Sequence, residues 1–128
     1  MIQDSLMEVG KAAIKGVTWT VDFYPDGKDV VTVYSEGGGS PDLSDVKWRY
    51  PEYMVYIRHT DWDKAKALAY KIYDLFHSKL NFTVTEAGQD IYVLSLFALS
   101  EPIRIGVNSD DDRMEYSVNF RATLRRKN

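Results

Sequence analysis

Residues 50–80 read YPEYMVYIRHTDWDKAKALAYKIYDLFHSKL, and a change of period inside this stretch decides the fold. Over 52–59 apolar side chains fall on both faces, Tyr53, Val55 and Ile57 against Met54 and Tyr56. That pattern belongs to a strand inside a sheet. From Thr60 the period becomes helical. Ala65, Leu68, Ala69, Ile72, Leu75 and Phe76, continuing to Lys79 and Leu80, form one stripe, and Asp63, Lys64, Lys66, Lys71 and Asp74 lie mostly outside it. Thr60, with Asp63 three residues on, reads as a capping-box-like start, and Asp61 and Asp63 sit favourably at the positive end of the helix dipole. At 1.5 Å per residue such a helix spans roughly 30 Å, the width of a small domain.

Working outward, Ile2, Leu6, Val9 and Ala13 recur at helical spacing, and Gly16 after Lys15 supplies a stop, so 2–15 is expected to be a helix. Gly10 weakens it, since an interior Gly costs roughly 1 kcal/mol against Ala. Residues 17–24 alternate, Val17, Trp19, Val21 and Phe23 against Thr18, Thr20, Asp22 and Tyr24, as in a half-buried strand. Pro25-Asp26-Gly27 provides a turn, and 29–35 reads as the returning strand of a hairpin. Residues 36–49 hold Gly37, Gly38 and Gly39, then Pro41 and a polar run, and are expected to be a mobile loop. After the long helix, 81–85, 90–100 and 103–107 read as strands, and NSDDDR turns the chain at 108–113. From Met114 to Leu124 apolar and polar residues alternate strictly, with Glu115, Ser117, Asn119 and Arg121 on the polar side, which places this strand near a sheet edge or on a partner surface. The basic end RRKN is expected to fray. The class is α+β: a mostly antiparallel or mixed sheet with two helices packed on one face. Writing the strand-to-helix unit by its helix, the order is α-β-β-α-β-β-β.

The chain has 128 residues, the size of a single domain, and its 45% hydrophobic share is enough for a packed core. A net charge of −3 gives the whole chain no attraction toward nucleic acid. Without cysteine there are no disulfides, thiolate metal sites or cysteine nucleophiles. No run approaches a membrane span, and the N-terminal residues lack signal-peptide character, so synthesis and folding in the cytoplasm are expected. No membrane partner is expected.

The search for chemistry returns no active site. His59 and His77 are far apart in sequence and lack zinc spacing, and His59 offers no evident partner. Asp110-Asp111-Asp112 fails the calcium-loop pattern, because the sixth and twelfth places are Glu115 and Arg121, and reads as a solvated turn. The triple glycine is not followed by Lys-Ser/Thr, so it is no phosphate loop. Arg121, Arg125, Arg126 and Lys127 form only a local basic patch. No catalytic, cofactor-binding or metal residue is assigned, and no enzymatic activity is expected.

Three segments together resemble the phage tail-terminator and minor capsid proteins, the head–tail joining family of long-tailed phages and prophages. They are WTVDFYPDGKDVVTVYSEGGGSP; the unit in which Val55-Tyr56-Ile57-Arg58 leads through Asp61 and Trp62 to Ala65, Ala69, Ile72 and Leu75; and EPIRIGVNSDDDRMEYSVNFRA, with Pro102, Gly106, Asp110, Arg113, Tyr116, Asn119 and Phe120. Their order and spacing, over most of the chain, carry the likeness. One position departs: Asp112 stands where that family commonly has a Gly before the Arg. The resemblance implies a virion protein that closes into a ring, commonly a hexamer. The ring caps the tail tube at its head-proximal end, stops its polymerisation and joins tail to head. The implied partners are further copies of itself, the major tail tube protein and a head completion or connector protein, with DNA only passing through the ring lumen. Gly37, Gly38 and Gly39, and Glu115, Asn119 and Arg121, are the candidate assembly interface. Two alternatives are carried: a head-completion protein at the same junction, and a small cytosolic ligand-binding α+β domain, which would be monomeric with a Tyr- and Trp-lined pocket.

Overall fold

The computed structural model describes residues 2–40 and 47–126 of the chain. The elements are α1 (Gln3–Ala13), β1 (Thr18–Val21), β2 (Val30–Ser35), β3 (Trp48–Arg49), β4 (Glu52–His59), α2 (Trp62–Phe76), β5 (Lys79–Glu86), β6 (Gln89–Ala98), β7 (Ile103–Val107) and β8 (Met114–Arg126). The α+β class holds, with a mixed sheet ordered β1-β2-β4-β8-β6-β5; β3 and β7 each pair with β8.

β8 organises the sheet. One of its edges takes β4 along 114–121 and β3 at 124–125, and the other takes β7 along 114–117 and β6 along 120–126. The expectation that this strand lies near an edge is therefore corrected. Its alternation is genuine, but Glu115 and Ser117 on the polar side are buried, because the flanking strands and an ion pair cover them. The basic end is not frayed through Arg126: Arg125 pairs with Trp48 and Tyr92 and lies over the Trp48 ring.

Both helices lie on one face. Register puts Val31, Val33, Tyr53, Val55, Ile57, Tyr116, Val118, Phe120, Ala122, Leu124, Val93 and Leu96 on that face. They form the core with Ile2 and Leu6 of the α1 end and with Ala65, Ala69, Ile72 and Phe76 of α2. Phe76 meets Phe120 edge to face, with ring centroids 5.6 Å apart. Burial pushes the Tyr53 phenol up to about 12, and its oxygen accepts a 3.1 Å bond from the Ile2 N–H. α1 reaches β1 and β2 on one side and β5 on the other, so the sheet curls around the helices.

Several local expectations change. β1 and β2 are parallel, Thr18 opposite Val30 through Val21 opposite Val33, and are not a hairpin. Alternation is the same for either strand direction, and the residues between 22 and 29 carry the chain back to the starting end. α1 is shorter than 2–15, with Ile14 as its C-cap. α2 is capped by Asp61, whose carboxylate accepts from the Asp63 and Lys64 N–H groups at 3.1 Å each; Thr60 instead donates to Asp29. α2 ends at Phe76, so Lys79 and Leu80 belong to β5 and Leu80 points away from the core, exposed. The run 36–49 is partly ordered: Trp48 and Arg49 pair with β8, and Gly39 bridges Tyr50. Residues 41–46 of that run lie outside the described residues.

Candidate functional site

The joint between β4 and α2 gathers most of the charged side chains that the fold buries. Arg58 is 3% exposed. Its Nε donates to Glu115 Oε2 at 2.9 Å and its Nη2 to Asp111 Oδ2 at 2.8 Å. Arg113 donates from Nη1 to Asp111 at 3.2 Å and from Nε to Asp29 at 3.1 Å. Asp29 also accepts from the Thr60 N–H and hydroxyl, and His59 Nε2 stands 3.7 Å from it. His59 thus has a partner, contrary to the sequence reading. Its Nδ1 accepts from the Asp61 N–H at 2.9 Å, so the ring proton sits on Nε2. The Arg58 guanidinium lies 4.3 Å under the Tyr24 ring centroid, and its Nη1 is buried with no hydrogen-bond partner among the described residues.

Electrostatics follows from these contacts. Burial works to raise Asp29, but the Thr60 N–H and Arg113 outweigh it and hold the carboxyl below its usual range. At Asp111 desolvation is likewise outweighed, by the Arg113 bonds and the Arg58 charge. Burial pushes the Tyr56 hydroxyl upward, and its bond to Glu115 adds to the shift. The network binds the 108–113 turn and the 22–29 segment to the sheet. It contains no nucleophile aligned with a base, and among the described residues no group of three or more His, Asp or Glu could hold a metal ion. The aspartate turn is therefore more than solvated: Asp111 is the shared acceptor of two arginines. Asp112 has φ 57°, the left-handed conformation that glycine favours and Asp tolerates.

The second feature is the sheet face opposite the helices. Register places Tyr34 of β2, Met54 and Tyr56 of β4, Asn119 and Arg121 of β8, and Phe97 of β6 on it. Among the described residues neither helix covers it. Of the candidate interface residues, Asn119 and Arg121 lie together on this face, and Arg121 donates to Glu52 at 3.0 Å from a half-exposed position. Glu115 lies on the same face but is 8% exposed and held by Arg58. Gly37, Gly38 and Gly39 run alongside 50–52, and Gly38 lies against the backbone of Glu52, the partner of Arg121. A Cβ on Gly38, at φ 99°, would collide with the Tyr50 carbonyl and the Glu52 N–H. The triple glycine is thus a close backbone approach to the start of β4.

Sequence reasoning missed the Arg58 network, since its members are spread from Asp29 to Glu115. It also missed the exposed apolar row of Phe97, Leu99, Ile103, Ile105 and Val107. The only available signal was that EPIRIGV carries few charges for an edge strand. A groove of about 430 Å³ between α1 and α2 is lined by Ala13, Ile14, Lys15, Lys71, Asp74 and Leu75, with no tyrosine or tryptophan.

The sequence model of one family, described as bacteriophage tail terminator protein, matches residues 2–126. The chain belongs to the bacteriophage tail terminator family. Tail terminators are structural proteins, and membership makes this chain a tail-related phage protein of the virion that works among other tail and head proteins. A comparison with curated proteins finds no match. Among the described residues, no helix of this family member is long and apolar enough to cross a membrane.

Proposed function

We propose that this chain forms a ring, commonly of six copies, that caps the tail tube at its head-proximal end, ends polymerisation of the tube and joins tail to head. Terminator-family membership over residues 2–126 carries the reading. The structure supports it with a sheet whose second face carries no helix and is open around Phe97 and Arg121, and with edges at β1 and β5 that have no further strand among the described residues, the geometry a subunit needs to meet neighbours on several sides. The activity is geometric, with no catalytic step. Partners are the tail tube protein and a head completion or connector protein, with DNA passing through the lumen.

Asn119, Arg121 and the Gly37–Gly39 approach are assigned to the assembly surface, and Glu115 supports it from beneath by fixing Arg58. Removing the chain from an otherwise complete phage should give tails of irregular length without heads, seen by negative-stain microscopy and restored by complementation. Arg121→Glu, or deletion of the triple glycine, should block ring formation and tail joining. Normal tail length and joining without the chain would overturn the reading.

A further inference from the structure

We propose that the outer edge of β7 is where a second copy of this chain adds its β1 to the sheet. The assignment deepens the ring reading and rests on it for the identity of the partner. β7 continues the line of β6 along β8 after the break at Glu101 and Pro102. β5 covers the far side of β6 only as far as Leu96, where Lys79 pairs. Beyond that point β7 pairs with β8 alone, so its outer backbone groups have no strand partner among the described residues.

The side chains match an edge meant for addition. Ile103, Ile105 and Val107 are 45%, 51% and 37% exposed, and Phe97 and Leu99 are exposed on the approach. Natural edges are usually blunted by charges, prolines or bulges. β7 carries one charge, Arg104, one bulge, between Arg104 and Gly106, and Pro102 just before it, and with these its three apolar side chains still stand in water. Such an edge takes an extended segment by main-chain bonding, with the side chains setting specificity.

β1 is the donor that fits. It stands at the opposite end of the strand order and pairs only with β2. It has four residues against five in β7, and none is charged. Asp22 and Phe23 follow it, Phe23 65% exposed, to meet Arg104 and Ile105. β5 is a poorer donor. Asn81 interrupts it in the left-handed conformation, and its end is tied to α1 where Ser5 donates to Glu86. Joining β1 to β7 uses two different edges, so the contact is head to tail and closes into a ring when the rotation permits.

The absence of native cysteine makes the test direct. With Phe23→Cys and Ile105→Cys together, mild oxidation of assembled particles should give a covalent ladder up to the full ring, which neither single variant gives. Arg104→Glu and Asp22→Arg should each weaken self-association of the purified protein about tenfold, and the two together should restore most of it. Circular dichroism would verify that each variant folds. No ladder in particles of normal tail length, or a ladder from Thr83→Cys with Ile105→Cys instead, overturns the edge assignment and leaves the ring reading standing. Phage that terminates its tails without this chain overturns the ring reading.

Discussion

The indole of Trp19 lies over Gly10, on the space a Cβ at that position would occupy. Its Nε1 donates to the Ile14 carbonyl at 3.1 Å, which ties β1 to the end of α1. The glycine that lowers helix propensity is therefore the one that lets α1 approach the sheet. Overpacking a core costs about 1–3 kcal/mol, and Ala regains about 1 kcal/mol of helix propensity. The added Cβ would overlap the Trp19 ring itself, so the cost lies in the upper half of that range, and Gly10→Ala should destabilise the protein by about 1–2 kcal/mol in urea unfolding. A variant as stable as the parent would show that Trp19 does not occupy that space.

Two arginines on the same sheet face should behave differently. Arg58 is buried between Glu115 and Asp111, and Arg121 pairs with Glu52 half in water. Removing one partner of a buried pair costs about 3–5 kcal/mol, since a charge is left unpaired, and an exposed pair contributes about 0–1 kcal/mol. Arg58→Ala should lower the denaturation midpoint strongly, and Arg121→Ala should barely move it while impairing assembly. Equal losses of stability would remove Arg121 from the interface and make it a structural residue.

What the sequence disclosed is the part governed by period. Tyr53, Val55 and Ile57 beside Met54 and Tyr56 marked β4 as an inner strand, and β4 lies between β2 and β8. The stripe from Ala65 to Phe76 marked the face of α2 that is buried. Pairing direction was not legible, because Thr18–Val21 alternates identically in parallel and antiparallel ladders. Nor was the position of β8. Glu115 and Ser117 look like a wet face until Arg58, 57 residues earlier, is brought against Glu115. Of the candidate site, the sequence pattern carried only the shared face of Asn119 and Arg121, which follows from their alternation in β8. The apolar edge of β7 depends on β5 stopping at Leu96, a pairing limit that leaves no mark in the local pattern.

The depressed carboxyls set an acid limit. Asp29 and Asp111 are both held below their ordinary value of 3.8 in the folded chain. In the unfolded chain they bind protons more readily, so as pH falls below about 4 proton uptake favours unfolding. Their stabilisation is complete above the unfolded value and is lost as pH falls through the folded values. The melting temperature should be flat in these groups' contribution above about pH 5 and should drop below about pH 4. Asp29→Asn with Asp111→Asn should lower stability at neutral pH and flatten that acid slope. An unchanged slope in the double variant would place the acid sensitivity elsewhere.

The start of α2 gives a test that separates two neighbouring residues. Asp61 accepts from the N–H groups of Asp63 and Lys64, whereas Thr60 spends its hydroxyl on Asp29. Loss of an N-cap side chain costs about 1 kcal/mol, and Asn caps about as well as Asp. Asp61→Ala should therefore lose about 1 kcal/mol in denaturant unfolding, and Asp61→Asn should lose only the few tenths that the helix dipole gives a charge there. Thr60→Ala removes one exposed bond to Asp29 and leaves the cap in place, so its cost should be the smaller of the two alanine variants. The reverse ranking would return the cap to Thr60 and with it the first residue of the helix.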